Sequence, residues 1–172
     1  MHESPAEIEA LQELLDRSYA AAGEHLLRIH TPERRLSAEQ VIDRLNGMCL
    51  LTLATATADC RPLAGPVDGI FYRGAFHFGS SPDSVRFRHI GTRPYVSATH
   101  VPGEELAITV HGRAVPVDIR AGGGDGFRRA LLEIYVPRYG PDWEEEFLDS
   151  GPIYARIDPD RMFTFVMPSA NR

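Results

Sequence analysis

Hydroxyls and guanidinium groups crowd one short stretch of the chain, Phe78-Gly79-Ser80-Ser81-Pro82-Asp83-Ser84-Val85-Arg86-Phe87-Arg88. A strand pattern ends there, a helix pattern begins, and Ser84 stands where an N-cap belongs. The first helical turn carries unpaired N–H groups and the positive end of the helix dipole, so an anion is welcome there. Ser80, Ser81 and Ser84 can donate hydroxyl hydrogen bonds, and Arg86 can add charge-assisted bonds to phosphate oxygens. The competing reading is a plain capped helix with solvated arginines.

Other chemistry is thinly represented. The chain has no lysine, so each fixed side-chain cation is an arginine. That removes Schiff-base chemistry and any Walker-type phosphate loop, and leaves the guanidinium fork for anions. The histidines show no His-x-x-x-His spacing, so no metal site is expected. Cys49 and Cys60 lack CxxC spacing and make neither a zinc site nor a disulfide scaffold. No nucleophile elbow or Ser-His-Asp order appears. Gly122-Gly123-Gly124-Asp125-Gly126 lacks the Gly-x-Gly-x-x-Gly spacing and reads as a surface loop. Glu144-Glu145-Glu146 reads as a solvated helix face. Asp68 is odd, because it stands in an otherwise apolar strand and faces either solvent or a cleft.

Whole-chain properties narrow the class. An apolar fraction of 43% in 172 residues suffices for one domain with a sizeable core. The net charge of -6 argues against nucleic acid, whose phosphates require a basic surface. The N-terminal stretch is acidic and amphipathic, unlike a signal peptide, and no apolar run is long enough for a membrane span. A cytoplasmic protein is expected.

The elements that must position these residues follow from pattern. Ser4, Pro5 and Glu7 make a capping box for a helix over residues 4–30, with Ile8, Leu11, Leu15, Ala22, Leu26 and Ile29 on its apolar face. Ser37 and Gln40 start a second, short helix that stops at Gly47. Strands are expected over residues 48–58 and 63–72, the latter bulged or bent at Pro66 and Gly69. Arg73-Gly74 is a tight turn before a strand over 75–79. A short helix over 84–90 precedes strands over 95–101 and 106–118, with Pro116 at an edge or exit position. A helix over 127–139 is kinked or ended at Pro137, and residues 143–148 add a turn or two. Residues 153–157 and 161–166 make a final β-ribbon. The fold class is mainly β with helices: a small barrel of six to seven strands.

The order of these pieces resembles the pyridoxamine-5′-phosphate-oxidase-like split-barrel proteins, which bind flavins. The resemblance runs from about Ser37 to about Val117. It is carried by Leu50-Leu51-Thr52-Leu53-Ala54-Thr55, Asp59-Cys60-Arg61-Pro62, Phe76-His77-Phe78-Gly79-Ser80, Ser84-Val85-Arg86, Arg93-Pro94-Tyr95-Val96-Ser97 and Val110-His111-Gly112-Arg113-Ala114. It implies a Greek-key-like split β-barrel, residues 37–172, behind an N-terminal helical extension, residues 1–36. It further implies a homodimer with cofactor sites at the subunit interface.

The implied cofactor contacts are Arg61 opening the second strand, backbone groups of Pro66, Val67 and Asp68 along the ring edge, Phe78 and Gly79 at the end of the third strand, and a phosphate grip from Ser80, Ser81, Ser84 and Arg86. The vitamin oxidases carry a further arginine and a lysine where Gly65 and Ile70 stand here, and neither of these holds a phosphate by charge. FMN is therefore rivalled by the deazaflavin coenzyme F-420 of a related branch. The implied activity is an oxidoreductase passing hydride between that cofactor and a small conjugated substrate, with no catalytic side chain assigned. The alternative is a non-catalytic carrier or sensor of flavin or haem.

Overall fold

Alternating apolar and polar residues in the middle of the chain build strands with one buried face. The computed structural model describes residues 2–120 and 126–167. Its strands are β1 (Met48–Ala56), β2 (Pro62–Tyr72), β3 (Ala75–Ser80), β4 (Tyr95–Gly103), β5 (Leu106–Val117) and β6 (Ile153–Val166). Cys49, Leu51, Leu53 and Thr55 are the buried set of β1, and Leu106, Ile108, Val110 and Ala114 belong to that of β5. This is the period of two of a half-buried strand. All pairings are antiparallel and close into a six-strand barrel in the order β1-β2-β3-β6-β5-β4. With β4 returning to lie beside β1, the order is that of a Greek key. The expected mainly β split barrel with helices is the fold that forms.

The helices are α1 (Pro5–Ala20), α2 (Glu24–Ile29), α3 (Ala38–Arg44), α4 (Val85–Ile90) and α5 (Phe127–Tyr139). Both capping boxes are made: Ser4 with Glu7, and Ser37 with Gln40. The single helix expected over residues 4–30 is instead two. Gly23 is extended (φ -73°, ψ 154°) and stands at the N-cap of α2. A glycine inside a helix costs about 1 kcal/mol relative to alanine. Because α2 buries none of its residues, no packing gain offsets that cost.

Two further expectations change. The residues expected as a final ribbon form one 14-residue strand, β6. Its pairing with β5 slips between Gly112↔Pro159 and His111↔Arg161, so the would-be turn is a bulge. Gly112 permits it, because a Cβ there would lie 2.1 Å from the Asp158 carbonyl oxygen. Conversely, β2 has no bulge: its register with β1 runs unbroken from Met48↔Ile70 to Ala56↔Pro62. Pro66 is tolerated because β3 pairs with β2 only from Gly69 onward, leaving no neighbour to miss its N–H. Pro116 is at an exit position, since β4 reaches only Arg113 on that side of β5.

Helix α1 packs its Leu11, Leu14 and Leu15 into the same core as Val41, Leu51, Phe76, Ile108 and Met162. It also covers the edge of β6 that β3 is too short to reach. The Met162 N–H donates to Ser18 Oγ at 3.0 Å, and the Thr164 N–H donates to the Tyr19 hydroxyl at 2.9 Å. Buried backbone donors demand such partners. A second, smaller core joins Ile70, Tyr72 and Tyr154 of the barrel to Phe127, Leu131 and Tyr135 of α5, and to Trp143 and Leu148 beyond it. This second core positions the site.

Candidate functional site

A cleft of about 790 Å³ opens between the outer face of β2, the end of β3, and α5 with the turn that follows it. Pro66, Val67 and Asp68 line it from β2, Gly79 and Ser80 from β3, then Ser81 and Arg86. These are residues that the sequence singles out, brought to one concavity. Arg86 Nη2 donates to the Pro66 carbonyl at 2.9 Å. This fixes the guanidinium at the cleft rim, and only part of its donor set is used. Among the described residues, Ser80 Oγ makes no hydrogen bond.

The remaining candidates lie elsewhere. Arg61 is exposed in the β1–β2 turn, where Nε pairs with Asp59 at 2.8 Å. Phe78 is 1% exposed and packs its ring on Phe87 inside the barrel. Ser84 caps α4, its Oγ accepting from the Phe87 N–H at 3.4 Å. None of the three lines the cleft. Of the glycine run, residues 122–125 fall outside the described residues, and Gly126 stands at the N-cap of α5 with φ 93°.

The opposite wall is aromatic, and sequence reasoning missed it. Tyr135, Tyr139, Trp143 and Phe147 all line the cleft. They form one stack: Tyr139 on Tyr135 (ring centroids 5.9 Å apart), Tyr135 on Trp143 (4.8 Å) and Trp143 on Phe147 (5.4 Å). Helix α5 runs through Pro137 to Tyr139, and a wide π-type turn, Glu144–Leu148, follows. Arg128 of α5 holds that turn, donating from Nη2 to Glu144 at 2.6 Å and to Asp149 at 2.7 Å. The signal was present in the chain: an aromatic residue at every fourth position from 135 to 147.

Tyr154 completes the floor. It pairs with Gly79 across β6 and β3, and its ring lies over that glycine. A Cβ on residue 79 would come within 2.5 Å of Tyr154 Cε1. Burial pushes the Tyr154 phenol up to about 12, and the Asp68 carboxylate adds to the rise. Tyr135 is raised further, again by burial first and then by Asp68. Both phenols are therefore neutral hydrogen-bond donors at ordinary pH. Among the described residues no cluster of three or more His, Cys, Asp or Glu side chains is placed to hold a metal ion. No described helix is long and apolar enough to cross a membrane.

No family model matches the chain, and no curated protein matches it. Solved structures do. The chain is similar to a conserved hypothetical protein of Mycobacterium tuberculosis, with a TM-score of 0.63 and 16% identity, over 82% of this chain and 94% of that one. It is similar to an F-420 reductase, with a TM-score of 0.53 and 18% identity, over 69% of this chain and 91% of that one. It is also similar to a haem storage protein of Vibrio cholerae, with a TM-score of 0.54 and 20% identity, over 77% of this chain and 94% of that one. At such identities the likeness establishes architecture. The chain has the split β-barrel fold of the pyridoxamine-5′-phosphate-oxidase-like proteins.

Proposed function

We propose that the chain is a flavin-dependent oxidoreductase whose cleft holds FMN or a deazaflavin by its phosphate at one end and its ring at the other. The observation that carries this is the shared cleft: Ser80, Ser81 and Arg86 at the rim, the Pro66–Asp68 backbone along one side, and stacked aromatic rings opposite. Its size lies within the roughly 300–1,000 Å³ of small-molecule sites. The residues present fit such a cofactor. The Ser80 hydroxyl is uncommitted, the Arg86 fork has donors to spare, and the aromatic wall is flat and largely apolar.

When bound, a flavin supplies hydride transfer from its own ring. The protein's part is to bind and orient. Arg86 and the serine hydroxyls hold the anionic tail, the backbone beside Pro66 sets the depth of the ring, and the aromatic wall excludes water from one face. The neutral Tyr135 and Tyr154 phenols offer protons in hydrogen bonds to whatever lies between them and Asp68. The fold similarity to an F-420 reductase is consistent with either cofactor. The domain reading, an N-terminal extension of residues 1–36 before the cofactor-binding barrel of residues 37–172, belongs to this proposal, as do a homodimer and a cytoplasmic location.

The similarity to a haem storage protein raises the carrier reading. Chemistry favours flavin. The described lining contains no histidine, cysteine or methionine, and its two buried tyrosines hold their protons tightly, the opposite of what a phenolate ligand to iron requires. The test is a fluorescence titration of the purified chain with FMN, with deazaflavin and with haem. Saturable uptake of a flavin is expected. Uptake of haem alone, or of nothing, refutes the proposal.

A further inference from the structure

The cleft carries more negative than positive charge along its ring end. Asp68 and Glu146 line it, and Arg86 is the one cation among its described lining residues. Arg86 is already drawn toward the Pro66 carbonyl at 2.9 Å. Asp68 follows Pro66 by two residues on the same face of β2, so the carboxylate stands further along the cleft than the guanidinium.

Two hydroxyls await a partner at that end. Tyr135 and Tyr154 are 6% and 7% exposed, line the cleft, and make no side-chain hydrogen bond among the described residues. Their rings are buried, but their hydroxyl oxygens are not sealed from the cleft, so both O–H groups are open to an acceptor on a ligand. The aromatic stack has open ends as well: Tyr139 is 56% and Phe147 47% exposed. Glu146 precedes Phe147 in the chain, which keeps a negative charge close to the outer ring of the stack.

We propose that the open end of this cleft, beyond the space the flavin ring would take, binds a flat, conjugated cation, a ring bearing a quaternary or protonated nitrogen, held against the exposed outer rings of the aromatic stack with the carboxylates of Asp68 and Glu146 lining the same cleft, and that this is the substrate class of the site. The inference rests on the proposed function only in calling that ligand a substrate. The faces of tryptophan, tyrosine and phenylalanine attract cations, and the attraction grows as water is displaced. Stacking alone is indifferent to charge, so the two carboxylates are what discriminates. An anionic ring of the same shape meets repulsion from both. The hydroxyls of Tyr135 and Tyr154 then donate to a carbonyl or amide oxygen on the same ring system.

Calorimetric titration of the full chain tests this, both as purified and after saturation with FMN, using 1-methylquinolinium, quinoline and 1-naphthoate at pH 7.5. These probes share one flat bicyclic shape and differ in charge. The cation is expected to bind roughly ten-fold more tightly than the anion, about 1.4 kcal/mol, with neutral quinoline between them. Asp68→Asn and Glu146→Gln are near-isosteric and both sites are exposed. Each should shrink the cation's advantage and leave quinoline within about two-fold of its original affinity. Naphthoate binding as tightly as methylquinolinium, failure of methylquinolinium to bind at millimolar concentration, or a preference untouched by both substitutions overturns the inference. FMN uptake without charge discrimination removes this inference and leaves the flavin reading intact. Discrimination without FMN uptake does the reverse.

Discussion

Replacing Arg86 by alanine probes the proposed phosphate grip at one point. The guanidinium lies at the cleft rim, half-buried, with one N–H committed to the Pro66 carbonyl at 2.9 Å. Its remaining donors can meet two phosphate oxygens in the bidentate manner of arginine. A hydrogen bond to a charged group contributes about 1.5–3 kcal/mol, and a partly solvated site belongs at the low end. Loss of such a pair therefore comes to about 2–3 kcal/mol, or roughly 30- to 150-fold in Kd. The fold itself should hardly notice, because Pro66 is exposed and water can take over its carbonyl. The assay is a fluorescence titration with FMN beside riboflavin, which has the same ring and no phosphate. Arg86→Ala should weaken FMN by the stated factor and leave riboflavin unchanged. Arg86→Lys, which keeps the charge and loses the fork, should fall between. Equal losses for FMN and riboflavin, or no loss for either, would refute the reasoning, because the arginine would then be acting on the ring or on the fold.

Other outcomes follow from single contacts. Gly112→Ala should destabilise the barrel by about 1–3 kcal/mol in urea titration, since a Cβ 2.1 Å from the Asp158 carbonyl forces the bulge of β6 outward. Gly79→Ala should displace the Tyr154 ring into the cleft and weaken ligand uptake more than it lowers Tm, because its clash is with a side chain that borders open space. Burial pushes the Cys49 thiol up to about 11, whereas Cys60 is exposed. A thiol reagent at pH 8 should therefore label Cys60 in the native protein and both cysteines after denaturation, as read by mass spectrometry. Tyr154 has a folded pKa near 12 against an ordinary 10.0. Its contribution is fully present below pH 10 and is lost as pH rises toward 12, by about 1.4 kcal/mol per pH unit. Tyr154→Phe should flatten that alkaline decline in a denaturation series; an unchanged slope would count against the burial argument.

Legibility differed from one element to another for physical reasons. The strands, the capping boxes at Ser4 and Ser37, and the Arg73-Gly74 turn, where both residues have positive φ, are local features written in neighbouring residues. Ser80, Ser81 and Arg86 stood out in the sequence because hydroxyls and guanidinium groups are the side chains of anion chemistry, and the fold brings them to one cleft. Phe78 shows what a local pattern leaves open. A strand alternates its faces, and one position's shift turns a side chain from cleft to core, where Phe78 lies beside Phe87. Arg61 looked available in sequence, but Asp59 two residues earlier pairs with it.

The chain alone pointed to a barrel of six to seven strands, of which six form, and to its helical caps, because hydrophobic period and side-chain type act over a few residues. Tertiary structure decided what faces the rim. The stack of Tyr139, Tyr135, Trp143 and Phe147 exists because the second core docks α5 on the barrel and Arg128 pins the following turn. Tyr154 reaches the cleft floor because β6 pairs with β3 opposite a glycine. The spacing of the four rings is local, but their meeting with the rim, like that of Tyr154, joins residues far apart in sequence and is set by packing.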